Sequence, residues 1–194
     1  MSRTGNGNGI LSALVEAGVA VLRALTSRSA EARRDNGVAS SPAVRPGGSI
    51  APSPGRGGGT ETVELDPRAV TGLALEYRPD RDGEPDAGEI IWTWVPFVER
   101  DGRGKDRPVL VIAKHGTDRV YAVKLTSKSH DSERDYLSIG TGSWDSQGRE
   151  SWVDVDQLYS VHRDGMRREA AALDRRRFDR VAAVLQRRFG WTTA

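Results

Sequence analysis

The sequence predicts a mainly β protein with helical additions: a small β-barrel with a C-terminal helix packed on it. Three observations lead there. Between residues 88 and 160, five or six short runs alternate apolar and polar side chains, each bounded by turn-forming residues. After Asp174 the apolar positions change to a helical period. Ahead of both, residues 26–60 hold Gly, Pro, Ser and Arg with almost no large apolar side chain.

In chain order, residues 10–25 (ILSALVEAGVAVLRAL) read as an amphipathic helix, with Ile10, Leu14, Val21 and Leu25 near one face. Glu16 and Arg23 interrupt the apolar run where a signal peptide needs an unbroken centre. The expectation for residues 1–25 is therefore a helix that docks on its own domain or on a second copy. Residues 26–60 cannot bury enough surface to offset chain ordering and are expected to be a disordered linker. Within residues 61–85, Asp66 followed by Pro67 is a helix-start signal, a capping carboxylate and then a first-turn proline. It predicts a short helix over 67–75 before the turn-rich YRPDRDGEPDAG.

The domain proper is expected over 86–194. GEIIWTWVPF is the first strand, with Ile90, Trp92 and Trp94 on one face and Ile91, Thr93 and Val95 on the other. Pro96 marks where pairing stops or an edge begins. The loop ERDGRGKD leads to RPVLVIAK, and the turn HGTD to RVYAVKLTS. A polar bend, SKSHDSER, precedes the strand DYLSIG, and the turn TGSWDSQGRE precedes SWVDV, with QLYSV continuing past a bend. Asp174 is a good N-cap for the last helix, whose apolar stripe is Phe178, Val181, Leu185 and Phe189, and Gly190 ends it.

Composition narrows the chemistry. The chain has 194 residues and no cysteine, which excludes disulfides, zinc ribbons and a thiol nucleophile. No apolar run reaches the ~20 residues of a membrane span. Charge is uneven: residues 61–162 sum to -7, whereas 1–60 and 163–194 carry +4 and +5. The net charge of +2 therefore gives no argument for nucleic-acid binding by itself. No P-loop or GxSxG elbow occurs, GNGNG follows no strand, and the three histidines are isolated. Asp154 and Asp156 form a D-x-D able to hold Mg²⁺ if both face one site, though such a pair is ordinarily a solvated strand edge.

GEIIW, a loop, RPVLVI and a strand ending in LTS resemble the core signature of the MazF/PemK family of toxin ribonucleases. SWVDVDQLYSV, with Asp156-Gln157, is similar to the family's later strand, and the helix after Leu173 falls where the family places its last one. The resemblance covers about residues 86–190. It implies an SH3-like barrel and a cytoplasmic, toxin-like endoribonuclease without cofactor or metal. It also implies a homodimer restrained by an antitoxin protein and acting on single-stranded RNA. In such cleavage the ribose 2′-OH attacks the adjacent phosphorus, leaving a 2′,3′-cyclic phosphate and a 5′-hydroxyl.

Arg107 then matches the family's catalytic arginine, a fixed bidentate donor for phosphate that stays charged. Thr126 matches the hydroxyl residue, able to donate to a non-bridging oxygen. His130, four residues on, is a candidate general base, with His115 and Glu99 as weaker alternatives. Arg100, Arg103, Lys105, Ser127 and Lys128 are candidate RNA contacts, and Trp144 a candidate platform for a base. The loop ERDGRGKD departs from many relatives, which leaves its acid–base role open. A rival reading keeps the barrel but not the catalysis: a nucleic-acid- or partner-binding module, favoured by the acidic middle segment.

Overall fold

The chain divides into two units, Met1–Gly48 and Ser49–Ala194. The computed structural model describes residues 53–97, 99 and 101–194, with only the backbone of residues 168–170. The expected helix at 10–25, most of the linker and Arg100 lie outside the described residues.

Ten strands and one α-helix make up the described domain: β1 Val63–Leu65, β2 Ala74–Leu75, β3 Glu89–Pro96, β4 Gly104–His115, β5 Arg119–Thr126, β6 Tyr136–Gly140, β7 Ser151–Asp154, β8 Leu158–His162, β9 Met166–Ala172, α1 Arg175–Phe189 and β10 Thr192–Thr193. The main sheet runs β1-β8-β5-β4-β3-β9, with β7 pairing both β5 and β6. β10 and β2 form a separate parallel pair.

Alternation along β3 and β4 sends neighbouring side chains to two cores. Ile90, Leu110, Ile112, Val123 and Leu125 pack with Phe178, Val181 and Leu185 of α1. Ile91, Val95, Val109, Val111, Ala122, Tyr159 and Val161 pack on the other face. The sheet curls far enough for Thr62, just before β1, to reach Thr93 of β3, with their Oγ atoms 3.0 Å apart.

The predicted terminal helix and its caps are present. Asp174 Oδ1 accepts from the Arg177 N–H at 3.1 Å, and Gly190 closes the helix at φ 73°. The predicted helix over 67–75 is not formed. Asp66 does cap, accepting from Arg68 N–H at 2.9 Å, but only a turn follows. Gly72 at φ 69° ends it, and Ala74–Leu75 joins β10 instead. The second predicted strand begins at Gly104 rather than at the RP dipeptide, so Lys105 and Asp106 are strand residues, not loop. Residues 53–60, read as linker, are seated on the domain: Thr62 N–H donates to Gly55 O at 2.8 Å, and Gly55 is buried. β9 is a further strand that the sequence reading leaves unassigned.

Candidate active site

The site grows from a split between two strands. β4 and β5 pair from Val109↔Lys124 onward. The residue before Val109 is Pro108, which has no N–H to give a ladder. On the other strand, Leu125 and Thr126 turn away to pair with Val153 and Trp152 of β7. Arg107 and Thr126 both lie just beyond the last β4–β5 pair, one on each of the strands that part there. Arg107 is meanwhile held on its other side, opposite Thr93 of β3.

A groove of about 270 Å³ occupies the split, and Arg107 and Thr126 both line it. Its charged lining is Lys105, Arg107, Lys128 and Arg149 against Asp106 and Asp145. Asp106 is further compensated by Arg167, whose Nη1 donates at 2.6 Å. The groove is therefore cationic inside an acidic stretch of chain. Thr126 Oγ accepts from the Lys128 N–H at 3.2 Å, which leaves the hydroxyl proton to be donated outward.

Behind Arg107 is a polar network. Tyr159 O–H donates to Gln157 Oε1 at 2.8 Å, Lys124 Nζ donates to the same oxygen at 2.5 Å, and Lys124 pairs with Asp154 at 3.3 Å. Burial pushes the Tyr159 hydroxyl far above its ordinary value, Glu64 and Asp154 push the same way, and Arg107 opposes them. These groups are neutral or paired, so they position the arginine's surroundings without competing for an anion.

The candidate residues separate. Lys105, Ser127 and Lys128 line the groove with Arg107 and Thr126. Arg103 lines a neighbouring pocket instead. His130 is not in the groove wall: its ring stacks on Tyr136 at 3.6 Å, and its Nδ1 lies 3.0 Å from Glu133. His115 stacks on Tyr121, and burial lowers its pKa. Glu99 is exposed in the hairpin turn.

Trp144 lines the groove but is only 4% exposed. Gly142 lies so close that a Cβ there would be 2.0 Å from the indole, and Trp144 Nε1 donates to Ser151 Oγ at 3.0 Å. The ring is a core element with an edge in the groove, and it has no open face for a base. Asp154 and Asp156 do not converge on one site. Asp154 serves Lys124, and Asp156 accepts from Arg188 at 2.9 Å.

Several groove residues were not among the candidates of the sequence reading, among them Trp92, Asp106, Asp145, Arg149 and Ser151. Asp145 Oδ2 accepts from Arg149 Nε at 2.8 Å, and that bond is the main cause that holds its carboxyl below the ordinary range. The signal available was the D-x-x-x-R spacing inside the turn after Trp144.

A curled sheet, a terminal helix and a cationic groove opening where two strands part make up a small β domain. Residues 86–189 match the family described as PemK-like, MazF-like toxin of type II toxin–antitoxin system, and the chain belongs to that family. Among solved structures it is similar to a MazE–MazF complex (form II) from Deinococcus radiodurans, at 21% identity and TM-score 0.44, covering 56% of this chain and 98% of that one. It is also similar to MazF (form I) from the same organism, at 23% identity and TM-score 0.44, covering 56% and 99%. A third is an endoribonuclease in complex with its cognate antitoxin from Mycobacterial species, at 14% identity and TM-score 0.44, covering 55% and 95%. No curated protein sequence matches the chain. Among the described residues, no helix is long and apolar enough to cross a membrane.

Proposed function

We propose that this domain is a toxin-like, metal-independent endoribonuclease that cleaves single-stranded RNA to 2′,3′-cyclic phosphate and 5′-hydroxyl ends. One observation carries the reading: Arg107 and Thr126, on strands that part beside Pro108, line the same cationic groove. A phosphodiester in that groove meets a bidentate cation from β4 and a hydroxyl donor from β5. As the 2′-oxygen bonds to phosphorus, the P–O5′ bond breaks and charge builds on the non-bridging oxygens. Arg107 and Thr126 bind that charge more tightly in the transition state than in the ground state. The nucleophile belongs to the substrate, so the protein's work is electrostatic. The proton leaving the 2′-OH goes to water, and the departing 5′-oxygen takes a proton from water to end as the 5′-hydroxyl. In keeping with its family, the domain acts in the cytoplasm as a homodimer and is restrained by an antitoxin protein.

The test is incubation of the full chain with single-stranded RNA in EDTA, with analysis of the new ends. Cyclic phosphate and 5′-hydroxyl termini are expected. Arg107→Ala should lower the rate by roughly 10²–10³-fold, and Thr126→Ala by about 10- to 100-fold, as for a lost hydrogen bond to a charged group. Tight RNA binding with no cleavage would select the rival, a binding module without catalysis. The acidic charge of residues 61–162 favours that rival only globally, because the charged groups lining the groove are four cations against two carboxylates.

A further inference from the structure

Residues 53–65 precede the family match, which begins at 86, and they build half of a second pocket. Its volume is about 380 Å³, within the range of small-ligand sites. Arg56, Glu61 and Glu64 form one side, and Trp94 and Arg103 of the β3–β4 hairpin form the other. The pocket adjoins the groove along the same two strands. Trp92 lines the groove and Trp94 the pocket. They are two residues apart on one strand face, or about 7 Å. Lys105 in β4 and Arg103 just ahead of it repeat the relation. A strand of RNA lying across Arg107 and Thr126 reaches this pocket with an adjacent nucleotide.

The pocket has the parts that hold an unstacked base. The Arg56 guanidinium lies over the Trp94 ring, 5.1 Å from its centroid. Single-stranded bases stack on aromatic rings and on guanidinium planes. Carboxylates accept hydrogen bonds and do not donate them, so Glu61 and Glu64 select a base edge that presents donors side by side. Guanine offers its ring N–H and its amino group together. Uracil sets carbonyl oxygens against the same carboxylates.

We propose that this pocket is a specificity site for a guanine flanking the scissile bond. The inference rests on the nuclease reading for its substrate. It assigns part of the sequence preference to Arg56, Glu61 and Glu64, which lie outside the shared family domain.

The full chain is incubated with a randomised single-stranded RNA pool in EDTA, and the cut ends are sequenced. Guanine at one fixed position beside the cut should be enriched at least about tenfold, in the range of one good two-point base contact. Arg56→Ala and the double variant Glu61→Gln with Glu64→Gln should each bring that enrichment to within about twofold of uniform. Arg56 and Glu61 are exposed, and far-UV circular dichroism checks that the variants fold.

A second measurement does not depend on cleavage: titration of the full chain with guanosine and uridine 5′-monophosphates, followed by the indole N–H resonances. Guanosine monophosphate should bind more tightly, and Arg56→Ala should remove the difference. That result supports the pocket even for a chain that cuts nothing, in which case only the nuclease reading falls. Cleavage with an unchanged guanine bias in the variants, or equal binding of both nucleotides, overturns the pocket and leaves the nuclease reading standing.

Discussion

Asp145 binds Arg149 with a side chain only 10% exposed, while the arginine is 52% exposed. The hydrogen bond from Arg149 is the main reason its carboxyl sits below the ordinary range. A carboxylate whose pKa is depressed by folding stabilises the protein above its unfolded value of about 4, and the contribution is lost as pH falls through the folded value. Asp145→Asn should therefore lower the denaturation midpoint at neutral pH, and the gap to wild type should close as the solution is acidified through the depressed titration of the folded carboxyl. A gap that stays constant throughout acidification would mean the ion pair is not the source. The same pair shows why part of the site was hidden. Arg107 and Thr126 stand in the RP and LTS motifs, and the resemblance of those motifs to the family marked them. Asp145 and Arg149 sit in a turn with no period. Its shape is set by Trp144 folding into the core against Gly142, a tertiary contact that the local sequence does not encode.

Elements were legible in proportion to their length and to the agreement between propensity and period. α1 had both, with an apolar stripe, an aspartate at its start and a glycine at its end. β9 had neither: MRREAAA is built from good helix formers, yet it lies as an antiparallel strand on β3, with register shifts between Ile90/Ile91 and between Trp92/Thr93. Pairing with a waiting edge overrides weak local preference. β1, β2 and β10 span only three, two and two residues, too short for any alternation to register. The expected 67–75 helix failed for a related reason, because a good cap starts a turn but needs a stripe to extend it. For α1 the cap has a measurable role. Asp174 accepts from the Arg177 N–H at 3.1 Å and pairs with its guanidinium at 3.0 Å. Asp174→Ala should cost ~1 kcal/mol in urea denaturation, with Asp174→Ser recovering most of it. No loss in the alanine variant would show that packing of Phe178 and Val181 alone fixes the start of the helix.

At the scale of the whole domain, the largest difference between sequence and structure is the segment ahead of the family match. Composition reads residues 53–60 as tether, because glycine and proline count against burial. In the fold, glycine is what lets two backbones meet: a Cβ on Gly165 would sit 2.5 Å from Thr60 O, and one on Gly55 2.9 Å from Gly165 O. Thr93 donates its hydroxyl proton to Gly165 O at 2.9 Å, so Thr62 is the donor in the buried Thr62–Thr93 bond. β1 then covers the outer edge of β8 through three residue pairs, Val63↔Ser160, Glu64↔Tyr159 and Leu65↔Leu158. These hydrogen bonds, each worth ~1 kcal/mol net, tie the segment to the edge of β8. Two shortened chains, one beginning at residue 53 and one at 66, isolate that contribution. The shorter should melt lower by roughly 5–10 °C, and hydrogen exchange should speed up along β8, whose edge it exposes. Its RNA cleavage should persist while the guanine preference disappears, because Arg107 and Thr126 remain on β4 and β5 whereas Arg56, Glu61 and Glu64 are gone. Equal melting of the two chains would make the segment an ornament on a self-sufficient sheet, and the pocket it walls would then have no fixed shape with which to choose a base.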